Sequence, residues 1–241
     1  MRQLLTTVAG AALTLWVAAA AAQENGDAEP AQQLVDGCVQ GEDIILRIES
    51  CTRLISVERE ADGNPAWAFN NRGAAYESMG RLERALSDYN TALLLDPGFA
   101  PGYNNRGNVQ ARRGDLDAAI ADHAKAVEID PDYVDAWINL ARDHEEAGEP
   151  EQAIEAYTGA LEAEPELAEA LANRSALHCT VGNVEASIAD RLRLLDIGFF
   201  TAEQLQEFLQ NRDYYDGPID GIFGAGSRAA LTAWTEAGCP R

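Results

Sequence analysis

Histidine and cysteine, which often act in catalysis or bind a metal, are few in this chain, and only His178 and Cys179 are adjacent. There are three histidines and four cysteines among 241 residues. His144 begins the run H-E-E-A-G, which lacks the second histidine that a zinc-protease helix needs four residues further on. The sequence contains no glycine-rich phosphate loop and no serine nucleophile elbow. We therefore predict a protein that is not an enzyme and holds no metal ion and no other cofactor.

The cysteines predict disulfides instead. Their number is even, and the N-terminal sequence predicts export, a setting in which disulfides form. Four cysteines allow three connectivities. Cys38 and Cys51 are close in sequence, so a bond between them would fasten the N-terminal segment to its helix. That pairing leaves Cys179 to bond with Cys239. A metal or thiol site at His178-Cys179 is the alternative, which the lack of closely spaced ligands elsewhere disfavours.

Amide side chains recur in a column whose members lie 34 residues apart, and the column belongs to a longer pattern with the same period. Glycines, prolines, large residues and small residues also recur at intervals of 34 residues. The asparagines are Asn71, Asn105, Asn139 and Asn173; the glycines are Gly80, Gly114, Gly148 and Gly182; the prolines are Pro97, Pro131 and Pro165. Glycine ends a helix in the left-handed conformation, and proline stops the next helix. The pattern predicts an all-α solenoid of helix–turn–helix units.

The first unit reads W-A-F-N-N-R-G-A-A-Y-E-S-M-G-R-L-E-R-A-L-S-D-Y-N-T-A-L-L-L-D-P, which resembles the tetratricopeptide repeat. The resemblance covers residues 66–199 and implies four repeats, at 66–99, 100–133, 134–167 and 168–199. In such arrays the asparagine position faces the concave groove, where an amide can donate to and accept from the main chain of an extended peptide. The predicted partner-binding residues are Asn71, Asn105, Asn139, Asn173, Asn104, Asn108, Arg112 and Arg142. Alternatively, the asparagines only stabilise contacts between helices.

The N-terminal region divides into two parts. Met1–Ala22 has a basic start, an apolar run and an alanine-rich end, which predicts a secretory signal peptide. An uncleaved membrane anchor is the alternative reading. Residues 23–65 are predicted to be a linker and a degenerate capping repeat, because Asp43–Glu58 has helical spacing and Cys51 lies 34 residues before Ala85. We therefore expect a periplasmic or secreted protein without a transmembrane segment after cleavage.

The net charge excludes one class of partner. The chain has 40 acidic and 18 basic residues, a formal charge of −22 at pH 7. A surface of this sign repels phosphate backbones, so we expect no binding to nucleic acid.

The period stops after residue 199, and residues 200–241 have another pattern. Residues 214–234 read Y-Y-D-G-P-I-D-G-I-F-G-A-G-S-R-A-A-L-T-A-W, which resembles the peptidoglycan-binding domain found at the ends of many cell-wall enzymes. Asp213 stands where that family usually has glycine, Ser227 replaces threonine, and Trp234-Thr235 replaces a Phe-Gln pair. The resemblance implies a small helical module whose wall-binding residues are Tyr214, Tyr215, Asp216, Asp220 and Phe223. The Asp-Gly turns could instead serve only to shape the loop.

These features predict a non-catalytic periplasmic adaptor. Its repeats would hold a partner protein or an extended peptide, and its C-terminal module would associate with the cell wall. One alternative is an accessory subunit of a separate peptidoglycan hydrolase or synthase. Another is a purely structural solenoid that uses the C-terminal module as a cap.

Overall fold

The computed structural model describes residues 31–60 and 63–240, and these residues form twelve α-helices. The predicted signal peptide, residues 23–30 and Asp62 lie outside the described residues. The helices are α1 Ala31–Gln40, α2 Ile44–Glu60, α3 Ala66–Ser78, α4 Leu82–Leu95, α5 Ala100–Arg112, α6 Leu116–Ile129, α7 Val134–Ala147, α8 Pro150–Ala163, α9 Ala168–Thr180, α10 Val184–Asp196, α11 Ala202–Gln210 and α12 Ala225–Glu236. Within the described ranges, no helix is both long enough and apolar enough to cross a membrane.

The predicted all-α repeat architecture is confirmed. The helices form two compact units, α1–α6 and α7–α12, with the boundary between Ile129 and Asp130. Inside each unit, consecutive helices pack as antiparallel pairs, α1 with α2, α3 with α4 and so on to α9 with α10. The four glycines of the 34-residue pattern follow the first helix of their pairs with φ between +70° and +79°. Only glycine adopts this left-handed conformation without strain, which explains why each first helix ends there.

The two helices of a repeat approach closely where the small residues recur. A Cβ atom on Gly73 would lie 2.8 Å from the ring of Tyr89, and one on Gly107 would lie 2.7 Å from His123 Nε2. Both rings are fully buried. In these two repeats the ring of the second helix therefore occupies the space above the glycine of the first helix, and a Cβ on either glycine would force the ring to shift. The third and fourth repeats have Ala141 and Ser175 at this position.

Buried ion pairs also join the helices of a repeat, and the sequence analysis did not predict them. In each pair the arginine Nε and Nη2 atoms donate to both carboxylate oxygens, at 2.6–2.9 Å. The remaining Nη1 donates at 2.7–3.1 Å to a side chain of the preceding repeat. The pairs are Arg72–Asp88, Arg106–Asp122 and Arg174–Asp190, and the Nη1 acceptors are Thr52, Asn90 and Thr158. Each arginine thus links three helices.

In the third repeat both residues of this ion pair are replaced by apolar residues. Leu140 stands at the arginine position and Ala156 at the aspartate position, and both are buried. An unpaired carboxylate in this interior would be costly, whereas two apolar residues satisfy each other. The joint replacement explains why the repeat tolerates the change.

The N-terminal pair differs from the expectation, because residues 31–40 form a helix where we expected the linker to begin. Leu34 and Cys38 are buried against α2, and a Cβ on Gly37 would lie 2.5 Å from Ser50 Oγ. A disulfide joins Cys38 to Cys51 with 4.7 Å between their Cα atoms. The sequence analysis missed α1 because it is short and buries few apolar side chains.

Residues 200–240, the tail, pack onto the last repeat. Leu209, Leu231 and Trp234 form the core of the tail, which contacts Ile188 and Leu192 of α10. The second disulfide joins Cys179 to Cys239 across 60 residues, so it fastens the end of the tail to α9. Both cysteine pairings are those expected from the sequence.

Arg191 lies in this interface at the position that tyrosine or histidine holds in the earlier repeats. Its guanidinium lies 4.5 Å from the centre of the Trp234 ring, and Nη2 is 3.4 Å from Cys239 Sγ. Burial lowers the pKa of Arg191 to about 10. The cation is retained there at neutral pH, where the indole ring attracts it.

We predict that the buried ion pair is needed as a pair. Arg106→Leu should lower the free energy of unfolding by about 3 kcal/mol, because it leaves the Asp122 carboxylate buried without its partner. The double change Arg106→Leu/Asp122→Ala copies the third repeat and should lose less than the single change. Urea unfolding of the wild type, the two single variants Arg106→Leu and Asp122→Ala, and the double variant measures the coupling energy between the two side chains. Additive losses would contradict the prediction.

Candidate functional site

An open cleft in the tail brings together most of the predicted wall-binding residues. The cleft has a volume of about 640 Å³, and Tyr214, Tyr215, Asp216 and Asp220 all line it. Phe223 is not one of its lining residues, because it packs against the tail core. The opposite wall is the alanine face of α12. A concave space of this size can hold a small-molecule-sized group.

The chain enters the cleft through a tight turn at the end of α11. Thr201 and Gln204 form a capping box at the start of this helix. At its end Asp213 has φ +61°, and the Tyr214 N–H donates to the Leu209 carbonyl at 3.0 Å. Aspartate tolerates the left-handed conformation better than most residues. Aspartate is therefore compatible with the backbone conformation that this turn requires.

Gln206, which the sequence analysis missed, organises the loop from inside. Its side chain is fully buried, and Oε1 accepts hydrogen bonds from the N–H groups of Asp220 and Gly221, both at 3.1 Å. On the donor side, Nε2 lies 2.9 Å from Asp220 Oδ1 and 3.1 Å from both the Ile222 carbonyl and the Ser227 hydroxyl. One amide thus fixes the second Asp-Gly turn against α12. Its position on the polar side of an amphipathic helix gave no indication of this.

The same contacts control the charge of the cleft. The hydrogen bond from Gln206, followed by that from the Ile222 N–H, holds the pKa of Asp220 below its usual range. The carboxylate therefore stays ionised under mildly acidic conditions and is protonated only as the pH falls through that lowered pKa. Asp216 is exposed beside it, and the lining residues include no lysine or arginine. The cleft is negatively charged.

The predicted asparagine column lies on the first helix of each repeat, which we call the inner helices: α3 and α5 in the first unit and α7 and α9 in the second. In each unit we call their amide- and arginine-bearing side the asparagine face. In the first unit, Asn105 Nδ2 on α5 donates to Asn70 Oδ1 on α3 at 2.9 Å. Asn71 Oδ1 lies 3.5 Å from Asn70 Nδ2. The Asn105–Asn70 hydrogen bond therefore links neighbouring repeats, a contact of the kind that the sequence analysis named as the alternative role of the asparagines.

Arg112 and Glu77 form a second link between the same two helices. Their Nη1 and Oε1 atoms lie 2.9 Å apart, and the Tyr89 hydroxyl donates to Glu77 Oε2 at 3.0 Å. Burial, together with the charge of Glu77, raises the pKa of Tyr89. The Arg112 side chain is 51% exposed, so its guanidinium remains accessible from solvent.

Asn104 and Asn108 have other surroundings. Asn104 is only 4% exposed, and His123 Nε2 lies 3.2 Å from its carbonyl oxygen. The same nitrogen lies 3.2 Å from Asn108 Oδ1. Both residues thus contact His123 of α6.

The second unit has related contacts. Asn173 Nδ2 donates to the Tyr157 hydroxyl at 3.0 Å, and that hydroxyl donates to Glu145. Asn139 lies on α7 and is partly buried. Arg142 pairs with Glu169, and the two side chains are 57% and 44% exposed. The exposed cation on the asparagine face thus occurs in each unit.

We predict that Gln206→Ala disorders the cleft without unfolding the repeats. The change removes the partner of two loop N–H groups and should lower the stability of the tail by about 1–3 kcal/mol. Amide hydrogen exchange at Asp220 and Gly221 should accelerate. Gln210→Ala is the matched control, because Gln210 is exposed and makes one long contact with the Gly217 carbonyl. Equal exchange rates in both variants would contradict the role of Gln206.

Comparison with known proteins agrees with this architecture. The tetratricopeptide repeat family matches at residues 66–99, 99–166 and 138–198, which together span more than half of the chain. No curated protein sequence matches the chain.

Solved structures of repeat proteins are similar in fold. MamA superposes with a TM-score of 0.59 at 20% identity, over 67% of this chain and 92% of MamA. YrrB, described as a TPR protein with an unusual peptide-binding site, superposes with a TM-score of 0.58 at 18% identity, over 75% of this chain and 92% of YrrB. At these identities the likeness concerns the fold alone. Because the family matches span more than half of the chain and the helices form the expected pairs, the chain belongs to the tetratricopeptide repeat family.

Proposed function

We propose that this protein is a non-catalytic, exported scaffold with two binding surfaces. The asparagine face of each unit binds an extended segment of a partner protein, and the tail cleft associates with the cell wall. The observation that carries the proposal is the presence of exposed arginines among amides on the inner helices of a repeat array. Arrays of this kind present one face of successive helices to a ligand.

In each of these ion pairs, a carboxylate of a ligand could displace the glutamate that now binds the arginine. The Arg142–Glu169 pair is exposed on both sides, and in the Arg112–Glu77 pair the arginine is 51% and the glutamate 21% exposed. Ion pairs in contact with solvent contribute about 1 kcal/mol or less. An incoming carboxylate, from an acidic side chain or a chain end, can therefore replace the glutamate at little cost. The amides beside the arginines can pair with a peptide main chain. YrrB, whose description names a peptide-binding site, supports a peptide as the class of partner.

The asparagines have a second role that the experiment must separate from binding. Asn105 and Asn173 each donate to a neighbouring repeat, so replacing them removes a structural hydrogen bond as well as a ligand contact. The arginines are the better probes, because loss of an exposed pair changes stability little.

We predict that Arg112→Ala/Arg142→Ala weakens capture of the partner at least tenfold, or about 1.4 kcal/mol. Pull-down from periplasmic extract, quantified by mass spectrometry, identifies the partner and measures its capture. The control is Arg81→Ala/Arg113→Ala, which removes the same charge from two exposed turns. Equal losses in the two double variants would assign the effect to net charge. Undiminished capture by Arg112→Ala/Arg142→Ala would move the partner to another surface.

Association with the wall is supported by the export that residues 1–22 predict and by the cleft in the tail. The residues that the peptidoglycan-binding resemblance implied lie around that cleft, apart from Phe223. An accessory role beside a separate wall hydrolase or synthase would use the same two surfaces. The identity of the captured partner distinguishes that role from a general scaffold.

We predict that deleting residues 201–241 abolishes cosedimentation with cell-wall sacculi. The deletion should carry Cys179→Ser, because Cys179 loses its disulfide partner. The repeats form their own helix pairs, so the helical circular dichroism of residues 31–199 should remain. Retained cosedimentation would assign wall binding to the repeats. Absence of cosedimentation by the full-length protein would make the tail a structural cap.

A further inference from the structure

We propose that the tail cleft binds a primary ammonium group carried on an aliphatic stem. A diamino acid with a free amine, as in a wall peptide, has this chemistry. The inference rests on the proposed wall association and names the chemical group that the cleft binds. Its two supports are the charge of the cleft and the apolar surface beside that charge.

The charge is of one sign. Asp216 and Asp220 line the space, and none of the lining residues is cationic. The guanidinium of Arg228 lies 5.5 Å from the centre of the Phe223 ring, and neither residue belongs to the lining. Gln206 holds Asp220 in place, so the carboxylate is positioned before a ligand arrives. A preorganised carboxylate loses little freedom on binding a cation.

The apolar surface of the cleft can contact the aliphatic stem of the ligand. Ile222 lines the cleft and is 68% exposed, so its side chain is accessible to a ligand there. Ala229 and Ala233 line the α12 side and leave room above the helix. The rings of Tyr214 and Tyr215 complete the lining, and tyrosine faces attract ammonium groups. Methylenes can therefore contact the walls while the charge meets the carboxylates.

The overall electrostatics favours an amine over the other groups of the wall. Residues 200–241 contain six acidic residues and three arginines, and the wall polymer is itself rich in carboxylates. Two surfaces of the same sign repel each other unless a local contact opposes them. An ammonium group between those surfaces is attracted to both. A neutral sugar could stack on the tyrosines, but it would leave the two carboxylates without a counter-charge.

The experiment compares two soluble probes with the full-length protein. Nα-acetyl-lysine methylamide keeps the side-chain amine, and Nα,Nε-diacetyl-lysine methylamide has the same stem without the charge. We expect NMR shifts at Tyr215, Asp220 and Ile222 with the first probe only. Asp216→Asn/Asp220→Asn should weaken that binding at least tenfold, since asparagine keeps the Oδ1 acceptor but not the charge. Asp213→Asn is the control: it removes a nearby charge, and asparagine tolerates the left-handed turn.

Sacculi provide the second arm. Acetylating their free amines should weaken cosedimentation of the wild type at least tenfold. The same treatment should change nothing for Asp216→Asn/Asp220→Asn, which separates the cleft from general charge repulsion. Equal binding of both lysine probes, or of neither, overturns the inference. If sacculi still bind in that case, the wall function stands. Binding of the amine probe without any binding to sacculi keeps the amine site and removes the wall function.

Discussion

The close approach of the two helices in each repeat is the constraint on which the rest of this structure depends. The Tyr89 and His123 rings occupy the space that a Cβ would take on Gly73 and Gly107. A larger residue at either glycine would widen the pair and separate the groups that now bond across it. The same two helices are joined by the Arg72–Asp88 and Arg106–Asp122 ion pairs, whose short distances require the helices to be close.

That spacing also makes the buried charges tolerable. Asp88, Asp122 and Asp190 are almost fully buried, and each accepts two hydrogen bonds from one arginine. Because the arginine also reaches the preceding repeat, the pair both neutralises a charge and fixes the order of the helices. Hydrophobic burial alone would leave neighbouring repeats freer to slide. The third repeat keeps its packing through Leu140 and Ala156 instead.

The two candidate surfaces differ in how they are built. On the asparagine face, amides such as Asn105 already bond between repeats, so a ligand must share or replace internal contacts. In the tail, Gln206 satisfies the loop from beneath and leaves the outer side of Asp216 and Asp220 toward the cleft. A surface held open by a buried support can accept a ligand without rearrangement. The tail cleft is therefore the more preorganised of the two surfaces.

The sequence by itself determined the all-α repeat class and the helix ends at Gly80 and its equivalents, because periodicity and helix termination are local properties. Its predicted wall residues also converged on one cleft, apart from Phe223. Only the tertiary structure decided the Arg72–Asp88 type of pair, the helix α1, the role of Gln206 and the bond from Asn105 to Asn70. These depend on which polar groups become buried together. A polar column has the same spacing in sequence whether it meets solvent, a ligand or the neighbouring helix.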